Sequence, residues 1–209
     1  MAGFKTHIAG GIISGIGISV AGYATLSLNL TQVFAVFIVG SIGGILPDLD
    51  SDSGKPLTLF FGLISVLIPA LLISHFPGKD SISPEFLVSY FVLSYFLINY
   101  VFCEIIKKFT IHRGIMHSIP FAILCGMLGY LVFISSGKQM ASIAGGAIFI
   151  GCLVHLILDE LNSFTFKFGF IPWIKRSSGT ALKFKSDSLL VNIFIYSLLI
   201  LTSFIILLI

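Results

Sequence analysis

His155 and Asp159 stand four residues apart inside a long apolar run. On a helix that spacing puts both side chains on one face, about one turn apart, which is the arrangement of a bidentate metal-binding pair. A histidine capped by a neighbouring carboxylate in a satisfied core is the structural alternative. A second group is Ile45-Leu46-Pro47-Asp48-Leu49-Asp50-Ser51-Asp52, where an apolar run stops at a proline and three carboxylates fall within five residues. Carboxylates this close repel unless a cation or protons neutralise them. The segment is not an EF-hand, because Ser53 and Leu59 stand where that loop needs Gly and Glu. Helix capping accounts for one aspartate, Asp48 or Asp52. Asp48 and Asp50 are read as metal ligands or as groups that orient ligands.

The third group is His112-Arg113-Gly114-Ile115-Met116-His117-Ser118. If the following helix begins early, Arg113 and His117 share a face and His112 approaches from the loop. Two histidines then supply neutral nitrogen ligands around a planar, permanently charged fork that suits a phosphate or carboxylate. Snorkelling to lipid headgroups is the ordinary alternative for Arg113. His7 carries no argument alone, and becomes a candidate ligand only through its level relative to the others.

The elements that position these groups must lie in lipid. Of 209 residues, 56 % are apolar and 10 % charged, with a mean hydropathy of +1.08. A soluble domain needs roughly 25 % charged residues to wet its surface. Soluble, disordered, coiled-coil and nucleic-acid-binding classes are therefore excluded. Runs free of Asp, Glu, Lys and Arg at 8–28, 31–47, 56–75, 86–103, 118–136, 139–158 and 188–209 predict an all-α membrane protein. The expectation is a single integral-membrane domain over 1–209 with about seven transmembrane helices, the second and fourth short for a bilayer. The first run follows Lys5 and could pass for a signal peptide, but His7 argues for a retained helix.

Alternate threading puts ten Lys and Arg on one side and two, Lys79 and Lys138, on the other. The positive-inside bias makes the first side cytoplasmic, with the N-terminus there and the C-terminus outside. The same threading brings His7, Asp48, Asp50, Asp52, His112, His117, His155 and Asp159 to that side; among the histidines only His75 lies opposite. Ionisable groups at membrane depth are costly and usually face an interior or wet cavity. The glycines of the first two helices read as packing devices. Cys103, Cys125 and Cys152 read as free thiols. Residues 164–170 alternate and predict a strand whose partner returns over 180–185, a short interfacial β-hairpin with Trp173 in the headgroup layer. Such a hairpin is a lid or lipid-entry lip, or a passive aromatic belt; Asp187 follows it.

The order His7, Leu46-Pro47-Asp48-Leu49-Asp50-Ser51, His112-Arg113-Gly114-Ile115-Met116-His117-Ser118 and His155-Leu156-Ile157-Leu158-Asp159 resembles the YdjM-like family of bacterial inner-membrane proteins, classed as metal-dependent hydrolases. The His-Arg-Gly-x-x-His-Ser element is its most specific part. The family often shows Thr where this chain has Met116, and an acidic residue matched here by Asp187. A more distant likeness is to zinc-dependent phospholipase C, whose helical pairs are more numerous. One or two ions are expected here.

Three functions follow as expectations. The first is a hydrolase of a lipid phosphoester at the cytoplasmic face of the bacterial inner membrane. In it His7, Asp48, His112, His117, His155 and Asp159 hold zinc or manganese, Arg113 grips the phosphate, and Asp50 or Glu160 is the general base. The second is a ceramidase-like amide hydrolase, which has no need of Arg113. The third, a divalent-metal transporter, fits less well because transport sites lie near the bilayer midplane. A membrane lipid is the expected partner, and nucleic acid is not.

Overall fold

The computed structural model describes residues 3–50, 55–73, 76, 82–104, 116–167, 171–174 and 182–209. Contacts group the chain into two units, Met1–Asp48 with Arg113–Ile209, and Leu49–His112.

In the first unit α1 (Phe4–Leu26) ends at Ser27, whose φ of 55° is left-handed. The chain then enters α2 (Leu30–Gly43) through a capping box: Gln32 N donates to Asn29 Oδ1 at 2.9 Å and Asn29 N to Gln32 Oε1 at 3.0 Å. These reciprocal bonds satisfy two backbone donors that a helix start leaves orphaned, and so hold the short reversal between α1 and α2. A 3₁₀ turn, Leu46–Asp50, follows α2. Helix α5 (Ile119–Phe133) runs on through a 3₁₀ turn to Ser136, and α6 (Lys138–Leu161) begins after Gly137, at φ 95°. Helix α7 is Leu189–Leu208.

Helix α6 is the hub, packing against α1, α2 and α5, while α7 packs on α5. Small residues make this closeness available. Along α6, Ala141, Ala144, Ala147, Gly151 and Cys152 are buried, and Leu28, Val36 and Met140 fill the space beside Ala144 and Ala147. Between α1 and α2 the backbones nearly touch: a Cβ at Gly44 would stand 2.5 Å from Gly11 Cα. In lipid, where no hydrophobic force drives helices together, such approach supplies the packing energy.

In the second unit α3 (Lys55–Ile73) pairs with α4 (Pro84–Phe96), and the Tyr90 hydroxyl donates to the Pro69 carbonyl at 3.0 Å. A π-helical segment, Leu97–Phe102, prolongs α4.

Among the described residues, five helices are long and apolar enough to cross a membrane: Phe4–Leu26, Pro84–Phe102, Ile119–Ser136, Lys138–Leu161 and Leu189–Leu208. Leu30–Gly43 and the stretch Pro56–Ala70 are shorter. The shortness expected of the second span holds. That expected of the fourth does not, because the π segment carries it to 19 residues. Leu190 and Leu207 are 79 % and 83 % exposed, which suits side chains facing lipid.

The hairpin is tighter than its sequence suggested. Strand β1 (Phe164–Lys167) pairs antiparallel with β2 (Ile171–Ile174), Phe164 opposite Ile174 and Lys167 opposite Ile171. The 180–185 segment is therefore not the partner. A three-residue connection costs less closure entropy than the longer loop that pairing would need. Lys183 instead bridges in parallel to Ser118, and Ile119 N donates to Lys183 O at 3.0 Å.

Candidate metal centre

Five residues of the first unit converge where α1 and α5 begin and α2 and α6 end. His7 lies in the first turn and a half of α1, and Asp48 sits in the 3₁₀ turn after α2. His117 immediately precedes α5, and His155 and Asp159 occupy the last turns of α6. Four of them are almost fully buried, His7 at 2 % exposed, His117 4 %, His155 0 % and Asp159 3 %, while the Asp48 side chain keeps 14 % exposure.

His155 is oriented by the backbone. Its Nδ1 donates to the Gly44 carbonyl at 2.8 Å. A carbonyl only accepts, so in the neutral ring Nδ1 carries the proton and Nε2 the lone pair. The carbonyl is available because Gly44 caps the C-terminus of α2, where helix carbonyls have no partner within the helix.

His155 Nε2 faces Asp48 Oδ1 at 3.5 Å and Asp159 Oδ2 at 3.7 Å. His117 Nε2 lies 3.3 Å from Asp48 Oδ1 and 3.6 Å from Asp159 Oδ2, and His7 Nε2 lies 3.2 Å from Asp159 Oδ1. Four of these five separations exceed the hydrogen-bond range of about 2.7–3.2 Å. Donors bound at about 2.0–2.2 Å to one cation stand roughly 3.0–3.6 Å apart, so the spacing suits ligands around an ion better than direct hydrogen bonds.

Charge and satisfaction point the same way. Two carboxylates among neutral imidazoles leave two buried negative charges, which are expensive without a cation. His155 Nε2 and both ring nitrogens of His7 are buried without a hydrogen-bond partner among the described residues. Each such orphan costs about 1–3 kcal/mol, and an ion would remove the cost at the ligating nitrogens. Burial alone would raise the Asp48 carboxyl, yet the facing imidazoles of His117 and His155 hold it well below the usual carboxylate range. Asp48 is thus kept in the ionised form that binds metal.

The residues present therefore fit a divalent ion. Two overlapping sets, His7 with Asp48 and His155, and His117 with His155 and Asp159, have ligand atoms within 4.8 Å of one another.

Of the candidates read from the sequence, His7, Asp48, His117, His155 and Asp159 are brought together. Glu160 is not in these sets: one residue along from Asp159, it is turned about 100° around α6. Asp50 closes the 3₁₀ turn. Asp187 is exposed ahead of α7. His112, Arg113, Asp52 and His75 lie outside the described residues.

The early start of α5 on which a shared Arg113 and His117 face depended is not met; the helix begins where the apolar run at 118–136 put it. Ser118 is its N-cap, in extended conformation, and its Oγ accepts from Phe121 N at 3.3 Å. His117 therefore approaches from the chain ahead of the helix. Ser118 with Pro120 two residues on is a helix-start signal that could have located this boundary. The Gly44 carbonyl was missed because the glycines were read only as packing devices. The backbone bond from Ile119 to Lys183, which pins the segment beside His117, has no evident signal in the sequence.

Neither the curated proteins nor the solved structures include a match for the chain. The family described as YdjM inner membrane protein matches residues 1–209. That match takes in every helix and every member of the buried cluster. The chain belongs to the YdjM inner membrane protein family.

Proposed function

We propose that the protein is a membrane-embedded, metal-dependent hydrolase of a lipid phosphoester at the cytoplasmic membrane face. The observation that carries this reading is the buried convergence of three imidazoles and two carboxylates at coordination spacing. That cluster lies at one end of helices whose outer faces are apolar. His7, His117, His155, Asp48 and Asp159 are the residues that hold metal; mixed nitrogen and oxygen donors suit zinc or manganese. When bound, such an ion supplies Lewis acidity and a water acidified toward neutral pH.

The remaining roles belong to side chains of this chain. His155, locked by Gly44, and the helical Asp159 form the rigid half of the site. Asp48 and His117 come from the turns that flank it. Arg113, four residues before His117, grips the phosphate through its fork and stabilises the charge that develops on it. Asp50 or Glu160 takes the proton from the attacking water. The excess of Lys and Arg on the side shared by the cluster orients this end toward the cytoplasm.

The test is turnover of a panel of phospholipids and lipid phosphates by metal-free protein and by protein reloaded with zinc or manganese. Hydrolysis restored by the metal is expected. With matched metal content, Arg113→Lys is expected to lower turnover by roughly two to three orders of magnitude, the scale of losing one transition-state donor. Near-equal rates would reduce Arg113 to a headgroup anchor. Cleavage of a ceramide amide without any phosphoester would replace the proposed bond.

A further inference from the structure

The His7 and His155 rings lie face to face, with centroids 3.6 Å apart and planes 14° from parallel. An imidazole binds a cation along a nitrogen lone pair, and that lone pair lies in the ring plane. An ion midway between these rings would stand about 1.8 Å, half of 3.6 Å, out of each plane. That is nearly the whole of a Zn–N bond of about 2.0–2.1 Å, so the two lone pairs could not both reach it. A tilt of 14° is too small to bring the planes together within a bond length. Nor does His155 escape by offering its other nitrogen, which is committed to Gly44.

One carboxylate divides between the same two rings. Asp159 Oδ1 faces His7 Nε2 at 3.2 Å, while Asp159 Oδ2 faces His117 Nε2 at 3.6 Å and His155 Nε2 at 3.7 Å. Asp48 Oδ1 lies on the side of His117 and His155.

We infer that the cluster is a two-ion centre bridged by Asp159, one ion held by His117, His155, Asp48 and Asp159 Oδ2, the other by His7 and Asp159 Oδ1. This rests on the reading that the cluster holds metal. The ring spacing of 3.6 Å matches the separation of about 3.5–4 Å between ions in two-metal hydrolytic sites. Charge then bears on the substrate. One divalent ion would cancel the two carboxylates, whereas two leave two positive charges in excess. A buried excess of that sign favours an anionic group such as a phosphoester over an uncharged amide. Among the described residues the ion on His7 has fewer protein donors and is the more readily exchanged.

The test is manganese content and electron paramagnetic resonance of full-length protein in detergent, after saturation with manganese and removal of the free ion. Two ions per chain with the signature of an exchange-coupled pair are expected. His7→Ala and His7→Gln are each expected to retain one ion, with an uncoupled signal. The wild-type spectrum decides the matter even if both variants fail to fold. One ion per chain, or two uncoupled ions, would overturn the bridged pair. No bound metal would overturn it together with the metal reading of the cluster. A coupled pair in protein inert toward every phospholipid would uphold the centre and remove only the proposed reaction.

Discussion

Gly44 brings no side chain to the cluster, yet its carbonyl decides which nitrogen of His155 faces Asp48 and Asp159. That orientation makes His155 the most constrained ligand. His155→Ala is expected to abolish metal retention through gel filtration. Asp50→Ala, which alters a residue at the end of the 3₁₀ turn, should lower affinity by no more than the roughly 10–100-fold typical of a group that orients ligands. Equal metal content in wild type and His155→Ala would refute the ligand assignment. At this scale the histidines and aspartates were legible because ionisable residues are rare in apolar runs, and their helix-end positions follow from hydropathy. Gly44 was not: a carbonyl is common to every residue, and only the fold shows which one meets a ring nitrogen.

At the scale of elements, the cluster depends on how closely α1, α2 and α6 approach. A methyl group at Gly44 would meet Gly11 Cα at 2.5 Å and the His7 carbonyl at 3.1 Å, so Gly44→Ala must push α1 from α2 and displace His7 and His155 together. Gly17, on α1 as well, has nothing within 4 Å of an added Cβ. Gly44→Ala is expected to lower both thermal stability in detergent and metal affinity, the latter at least tenfold. Gly17→Ala is expected to leave affinity unchanged and to stabilise the helix by up to about 1 kcal/mol. Equal effects of the two substitutions would show that close packing at Gly44 does not shape the site. Seven apolar runs were enough to find the helices, since span length follows from bilayer thickness. The start of α5 follows the apolar run that begins at 118. The hairpin partner was misplaced, because it was decided by loop closure, which the apolar periodicity used to place it does not encode.

Across the first unit, α1 and α5 begin where α2 and α6 end, so four helix termini deliver five polar side chains to one place. The sequence alone implied such a convergence through alternate threading, and the structure brings together five of the six residues read as metal ligands; the sixth, His112, lies outside the described residues. The outer surface is apolar and the buried cluster is the densest concentration of ionisable groups among the described residues of this unit. The central claim is that this cluster is a metal centre rather than a self-satisfied polar core. Anomalous diffraction at the zinc edge, from crystals of zinc-loaded protein, tests it most directly. The account predicts an anomalous peak enclosed by Nε2 of His117 and His155 and the carboxylates of Asp48 and Asp159. Peaks confined to the protein surface, with these side chains drawn into direct hydrogen bonds of about 2.7–3.2 Å, would contradict it.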